Sequence, residues 1–274
     1  MVQTPVGIHP SRIAATFAAL KGAGRVALMP YLTVGYPDIA TTLAGVPALV
    51  RSGADLIELG MPFSDPLLDG PTVQHTNQVA IAQGFKTTMM FEVARQVREE
   101  GIATPLILMG SFNPILRYGP EQLIADCAAA GIDGLIIPDL PPEESEEVAE
   151  SCRRHGRDLI WLVAPTSTDA RLAEVARLAS GFIYCISLTG ITGARSSLQG
   201  GLAEYIARVR RHTDLPLVIG FGISRAEHVA QVAAVADGAV IASAMLDRLG
   251  EVADRPMAER VAVLEAFMRE MQAG

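Results

Sequence analysis

The sequence predicts an α/β fold, a single (β/α)8 barrel with an extra N-terminal helix, from three observations. Eight short apolar segments alternate with helical patterns along the chain. Near-continuous apolar strands joined by helical crossovers are typical of a buried parallel sheet. The length of 274 residues also suits one barrel, because such barrels commonly run to about 250 residues as one domain. We therefore expect residues 1–274 to form a single TIM-barrel domain.

The predicted elements follow one another in a regular order. A leading helix over residues 10–23 has Ser11 as its N-cap and apolar residues at helical spacing. The predicted strands are residues 27–33, 55–60, 105–110, 134–138, 159–163, 182–187, 215–220 and 238–242. The predicted helices between and after them are residues 41–52, 87–100, 120–130, 143–155, 168–179, 202–212, 224–235 and 256–272.

Two features favour the barrel over the main alternative, an open doubly wound sheet. No GxGxxG segment follows the first strand, where a dinucleotide-binding sheet would carry it. In addition, three strands begin with similar segments, at residues 53–58, 131–136 and 236–241. In each segment an Asp stands one or two residues after Gly or Ala. This weak internal likeness indicates repeated units of one barrel.

Composition and charge exclude several classes of function. Half of the residues are hydrophobic and 19% are charged, so the chain can bury a sizeable core. A net charge of −8 without any Lys/Arg run argues against nucleic acid or an anionic membrane as the main partner. The three cysteines Cys127, Cys152 and Cys185 lie far apart, which indicates neither a disulfide framework nor a metal site. With no targeting segment or membrane span in the sequence, we expect a cytoplasmic protein.

The segment 55–72 carries the first functional signal. Its strand is apolar except for Glu58, which alternation places on the same face as Leu56. A carboxylate in such a strand is costly unless it is paired, solvated or kept partly protonated. A raised pKa would suit a general acid or base that works near neutral pH. The alternative is an ordinary ion pair at a strand end.

The loop after this strand is built from turn residues and holds further carboxylates. Pro62, Ser64-Asp65-Pro66 and Asp69-Gly70-Pro71 stand beside apolar residues, which indicates a shaped loop at positions 61–72. Asp69 is the second candidate catalytic carboxylate. The alternative is that the Asp-Gly pair only makes a turn.

Three further loops have the composition of a phosphate site. Residues 190–193, 220–222 and 242–244 follow the sixth, seventh and eighth strands, and the last segment is expected to begin a short helix. Backbone N–H groups at such strand ends and helix starts can bind a phosphate without any lysine.

The connection 188–202 is long and rich in glycine, which indicates either a lid over the site or a disordered loop tip. The histidines, by contrast, occupy loops or predicted helices, and none falls at a strand end. We expect the histidines, His228 among them, to be solvated surface residues.

Six segments together identify a family. They are residues 31–38 (YLTVGYPD), 58–71 (ELGMPFSDPLLDGP), 113–119 (NPILRYG), 137–144 (IPDLPPEE), 187–193 (SLTGITG) and 220–224 (GFGIS). In these segments, which span nearly the whole chain, the sequence resembles the tryptophan synthase alpha chain. The segment 58–71 is the most specific of them.

The resemblance implies a lyase that cleaves indole-3-glycerol phosphate to indole and glyceraldehyde 3-phosphate in L-tryptophan biosynthesis. It implies that indole passes to a beta chain in an α2β2 tetramer. No cofactor is implied in this chain, and pyridoxal phosphate is expected on the beta chain. By motif, Glu58 corresponds to the acid/base at the indole ring carbon, and Asp69 to the carboxylate at the indole N–H. Tyr184 matches a substrate-binding tyrosine, and Gly193, Gly222 and Ser243 match phosphate-binding positions.

Two positions depart from the family pattern. Ala242 stands where glycine is common, so its methyl group is expected to narrow the approach to phosphate. Ser111 stands where an aromatic residue is common, so the indole pocket is expected to be looser.

Two other functions remain open at this stage. An indole-glycerol-phosphate synthase would carry lysines at its strand ends, which this chain lacks. A catalytically idle barrel that only activates a partner would not need both Glu58 and Asp69, and a turnover assay would identify it.

Overall fold

The computed structural model describes residues 11–66, 68–186, 197–220 and 222–272. The strands are β1 (Ala27–Thr33), β2 (Ile57–Gly60), β3 (Leu106–Met109), β4 (Gly134–Ile136), β5 (Asp158–Val163), β6 (Ile183–Ile186), β7 (Leu217–Gly220) and β8 (Gly238–Ile241). All of their pairings are parallel, and β1 pairs with both β2 and β8, so the sheet closes. The predicted (β/α)8 barrel is confirmed.

Helices surround this barrel. They are α1 (Arg12–Gly22), α2 (Ile39–Arg51), α3 (Pro71–Ala82), α4 (Thr88–Glu99), α5 (Phe112–Tyr118), α6 (Pro120–Ala130), α7 (Glu146–Arg154), α8 (Asp169–Leu178), α9 (Ser197–Arg210), α10 (Ala226–Ala233), α11 (Ser243–Gly250) and α12 (Met257–Gln272). In the described ranges, none of them is both long and apolar enough to cross a membrane. The leading helix α1 is present as predicted, and the Ser11 side chain accepts a hydrogen bond from the Ala14 N–H.

Three of the helices differ from the prediction. Helix α3 begins at Pro71, so the predicted loop 61–72 ends earlier, at Gly70. The sequence of α3 is largely polar, so apolar residues at helical spacing do not reveal the helix. Gly70 has no side chain that could cap it, so the usual N-cap signal is missing as well. Helix α5 has only seven residues, too few to show a period. Helix α9 begins at Ser197, before the predicted position 202, and therefore overlaps the predicted lid at 188–202.

The three similar segments at the strand starts, 53–58, 131–136 and 236–241, have a structural role at the amino end of the barrel. In each one, the aspartate accepts a hydrogen bond from a backbone N–H of the preceding strand, at 2.8 to 3.0 Å. The three pairs are Asp55 with Leu28, Asp133 with Leu106, and Asp237 with Leu217. These hydrogen bonds thus connect β1 to β2, β3 to β4 and β7 to β8 at the amino end of the barrel. The predicted site lies at the other end, where the strands finish.

Candidate active site

One cavity lies at the carboxyl ends of the strands. Its volume is about 720 Å³, which falls in the range of pockets that enclose small molecules. Five of the six predicted site residues line it: Glu58, Asp69, Tyr184, Gly222 and Ser243. The sixth, Gly193, lies outside the described residues, as do 187–196 of the predicted lid. The closed barrel therefore brings residues that are 185 positions apart into one site, as the ends 58 and 243 show.

Glu58 is the central acidic group of this cavity. It lies on β2 with no solvent exposure, and neither carboxylate oxygen has a hydrogen-bond partner among the described residues. Burial, reinforced by the nearby charge of Asp69, raises the pKa of Glu58 to about 8. Among the described residues Glu58 forms no ion pair, which contradicts the alternative of an ordinary ion pair at a strand end. Glu58 is instead a carboxyl group that is protonated at neutral pH and faces an open cavity.

Asp69, unlike Glu58, has a hydrogen-bond partner for its carboxylate. Its backbone N–H donates to the Pro66 carbonyl at 3.1 Å, which closes a turn that ends at Asp69 and does not include Gly70. Helix α3 adds two contacts, since Gln74 Nε2 donates to the Asp69 carbonyl at 2.8 Å and Asn77 Nδ2 donates to Asp69 Oδ2 at 3.1 Å. Burial raises the pKa of Asp69, while the Asn77 hydrogen bond lowers it. Asp69 therefore both makes a turn and presents an oriented carboxylate to the cavity.

Two buried tyrosines complete the interior wall. Tyr184 on β6 was predicted, whereas Tyr31 on β1 was not proposed for the site. Tyr31 pairs in register with Glu58 on β2. Burial, aided by neighbouring carboxylates, raises the pKa of both phenols, so both remain protonated donors. The sequence signals for Tyr31 were its position within the first strand and its place in the segment 31–38, but neither indicated that it lies beside Glu58, which is distant in the chain.

Glycines make room for these tyrosines. A Cβ atom added at Gly60 would collide with the Tyr31 hydroxyl, and one added at Gly220 would collide with the Tyr184 hydroxyl. Each tyrosine thus lies over the last residue of the adjacent strand. The two phenols can take these positions only because Gly60 and Gly220 lack side chains.

Another part of the cavity wall is formed by residues that follow β7 and β8. Gly222, which follows β7, has a φ of 80°, a value that glycine adopts readily. Ser243 is the first residue of α11, and the first N–H groups of a helix have no partner within the helix. Ala242, which stands where glycine is common in the family, lines the cavity together with Gly222 and Ser243. These groups form a site that suits an anion.

A small recess adjoins the cavity beneath the loop 61–70. Its volume is about 20 Å³, room for about one water molecule, and it is lined by Ser111 together with Tyr31 and Asp69. The looser indole pocket expected from Ser111 stays a prediction.

The arrangement is suited to acid–base chemistry on a phosphorylated, partly apolar molecule. One carboxyl group is protonated near neutral pH, and a second lies in the same cavity with a different environment. Such a pair can divide the roles of proton donor and charge stabiliser. Apolar walls and an anion site in the same cavity would orient the ligand.

Comparisons with known proteins agree with this geometry. A family model described as the tryptophan synthase alpha chain matches residues 17–274. The tryptophan synthase alpha chain of Roseiflexus sp. (strain RS-1) is 52% identical over 262 residues, which cover 96% of this chain and 99% of the relative. That of Geobacter sulfurreducens is 45% identical over 260 residues, which cover 95% of this chain and 98% of the relative.

Solved structures are similar throughout the chain. Tryptophan synthase subunit alpha from Legionella pneumophila has a TM-score of 0.88 and 34% identity, covering 96% of this chain and 97% of that one. A Mycobacterium tuberculosis tryptophan synthase structure has a TM-score of 0.86 and 36% identity, with coverage of 96% and 97%. The chain therefore belongs to the tryptophan synthase alpha chain family and is a lyase that cleaves indole-3-glycerol phosphate in tryptophan biosynthesis.

Proposed function

We propose that Glu58 and Asp69 carry out the retro-aldol cleavage of indole-3-glycerol phosphate to indole and glyceraldehyde 3-phosphate. The observation that carries this proposal is Glu58, a buried carboxyl group without a partner among the described residues and with a pKa of about 8. A general acid is most effective when its pKa lies near the working pH. Glu58 meets that condition in the cavity that also contains Asp69.

The reaction assigns a separate task to each carboxyl group. Protonated Glu58 gives its proton to the indole ring carbon that bears the glycerol chain, which places positive charge on the ring nitrogen. Asp69, held by Asn77, accepts the indole N–H and stabilises that charge. The neighbouring hydroxyl then loses its proton and becomes the aldehyde as the carbon–carbon bond breaks, and the bonding electrons return to the ring. The Glu58 carboxylate left by the first step can accept that proton, so the enzyme ends in its starting state.

The remaining cavity residues bind the two ends of the substrate. Tyr184 packs against the indole, and the N–H groups at Gly222 and Ser243, with Gly193, bind the phosphate. This assignment is supported by Gly222 and Ser243, which both line the cavity that contains Glu58 and Asp69. The chemistry proposed for Glu58 and Asp69 requires no cofactor in this chain.

A beta chain is the proposed partner. It would receive the indole and carry pyridoxal phosphate, and two chains of each kind would form an α2β2 tetramer in the cytoplasm. Support comes from membership of the family and from the similarity to solved tryptophan synthase structures.

The test of the catalytic assignment is Glu58→Gln. The amide keeps the shape of the side chain and removes its proton, so indole release should fall by about 10²- to 10⁴-fold. Indole formation from indole-3-glycerol phosphate is measured with purified chain. Glu121→Gln is the matched control, because Glu121 pairs with Arg154 at the surface. Turnover of Glu58→Gln within about twofold of the parent would rule out Glu58 as the acid.

A further inference from the structure

The histidine of helix α10 is buried, contrary to the expectation that the histidines lie at the surface. Only 2% of His228 is exposed. It lies four residues after Ser224, in the helix that follows the segment Gly222–Arg225. Three residues of that segment, Gly222, Ile223 and Ser224, line the substrate cavity. His228 is thus placed to hold one wall of the proposed phosphate site from behind.

Both ring nitrogens of His228 face hydrogen-bond donors of that segment. Nδ1 lies 3.3 Å from the Ser224 backbone nitrogen, and Nε2 lies 3.2 Å from Arg225 Nη2. The Ser224 hydroxyl lies 3.5 Å from Nδ1. A neutral imidazole has one nitrogen that accepts, whereas an imidazolium has none. Whichever tautomer is present, only the uncharged ring can accept a hydrogen bond from Ser224 or Arg225.

The charges around His228 favour the uncharged ring. Burial, together with the Arg225 guanidinium, lowers the pKa of His228, while a hydrogen bond with the Gly222 backbone and the charge of Glu227 act in the opposite direction. The adjacent strand β8 contains no ionisable residue. Helix α12 packs against α10 as well, but three of its charged side chains form ion pairs with other elements. These pairs are Arg260 with Asp38, Glu265 with Arg51, and Glu270 with Arg248.

We propose that His228 is a positioning residue for phosphate recognition: its uncharged ring fixes the segment Gly222–Arg225, and its protonation loosens that segment and weakens binding of the phosphate group. The proposal rests on the assignment of Gly222 and Ser243 to the phosphate. His228 does not touch substrate. It acts through Ser224, which is both its hydrogen-bond partner and part of the cavity wall.

Two variants separate this role from simple packing. His228→Gln keeps a neutral acceptor, the amide oxygen, at every pH. His228→Leu fills similar space without an acceptor. His155→Gln is the matched control, because the His155 ring contacts Glu121 on α6 and does not line the cavity. Thermal unfolding of each variant reports folding, and if His228→Leu does not fold, the pH profile of His228→Gln decides the matter alone.

The readouts are the KM for indole-3-glycerol phosphate, kcat, and the inhibition constant of inorganic sulfate, between about pH 5.5 and 8. Sulfate keeps its charge over this range, whereas a phosphate monoester titrates near pH 6. In the parent chain, sulfate binding should weaken by about three- to tenfold at the acidic end, as expected for one lost hydrogen bond. His228→Gln should bind sulfate nearly independently of pH. His228→Leu should show raised KM at every pH, with kcat within about twofold of the parent.

Identical pH profiles for the parent and His228→Gln would overturn the proposal, as would a parent-like KM in His228→Leu. The sulfate measurement does not depend on turnover. If sulfate behaves as expected while Glu58→Gln remains active, the catalytic assignment fails and the role of His228 stands. If Glu58→Gln is inactive while sulfate binding is unaffected by His228→Gln at any pH, only the role of His228 fails.

Discussion

Glu58 shows how one buried side chain couples activity to stability. Its oxygens have no partner among the described residues, so ionisation in the folded state is opposed by burial and by Asp69. The folded-state pKa of about 8 lies above the usual value of 4.5, so the folded protein binds this proton more tightly than the unfolded chain does. The stability that this proton contributes is complete below about pH 4.5 and is lost as pH rises through about 8.

Glu58→Gln should therefore become progressively more stable than the parent as the pH increases. Between about pH 5 and 8, the difference in unfolding free energy should move in favour of the variant by at least about 2 kcal/mol, since each pKa unit corresponds to about 1.4 kcal/mol. Urea unfolding at several pH values measures it. Glu121→Gln is the control, because Ser151, His155 and Arg154 lower the pKa of Glu121 to about 2 and keep it ionised throughout. A difference that does not change with pH would mean that Glu58 is ionised in the folded protein.

At the scale of elements, the loop 61–70 and helix α3 act as one unit. Gln74 and Asn77 reach back from the helix to Asp69, and Thr72 Oγ1 donates to Asp247 Oδ1 on α11 at 2.8 Å. The loop that carries the second carboxylate is therefore attached both to its own helix and to the helix that begins at the proposed phosphate site.

Asp69→Asn separates the catalytic role of Asp69 from its role in the turn. Asparagine adopts the same turn geometry, and its carbonyl oxygen can still accept from Asn77, so the loop should stay intact. The neutral amide cannot stabilise positive charge on the indole nitrogen, so kcat should fall by about 10²-fold or more, with a smaller change in KM. Steady-state kinetics with indole-3-glycerol phosphate measure both constants. Parent-like turnover would mean that Asp69 serves only the turn.

At the scale of the whole molecule, the hydrogen bonds that connect neighbouring strands and the cavity of the proposed site lie at opposite ends of the barrel. The aspartates Asp55, Asp133 and Asp237 tie strands together at the amino end, and the cavity opens at the carboxyl end. The loop 61–70, which carries Asp69, follows β2 at that same end, so a partner chain bound there would contact part of the cavity wall. This arrangement is the basis for expecting activation by a beta chain.

A beta chain should raise lyase turnover by roughly 5- to 150-fold, which corresponds to a coupling of about 1 to 3 kcal/mol. The expected cause is a shift of segments 61–70 and 188–202 towards a closed state that excludes water. Hydrogen exchange of both segments, with and without substrate analogue and beta chain, is measured beside the steady-state rate. Segment 120–130 on the flank of the barrel is the internal reference. An unchanged rate together with unchanged protection would leave the chain an independent lyase.

The local patterns of the sequence were sufficient for the architecture. Strand β1 occupies residues 27–33 as predicted, and the other strands agree within two residues at either end. Runs of apolar residues and the glycines and prolines between them are short-range signals, so they can be recognised without knowledge of the fold. The apolar residues around Glu58 and the turn residues around Asp69 were visible for the same reason. The repeated Asp entries were visible as a motif, although their hydrogen bonds were not.

The environment of those residues, by contrast, depends on barrel closure. The absence of a partner for Glu58 among the described residues, the contact of Asn77 with Asp69 and the place of Tyr31 in the cavity depend on elements brought together by barrel closure. Helix α3 was missed because its polar sequence has no strong helical period and is stabilised by its tertiary contacts. His228 was expected at the surface because its neighbours along the chain do not reveal its burial. Burial and electrostatic shifts arise from groups that are close in space but distant in sequence, so a local window cannot contain them.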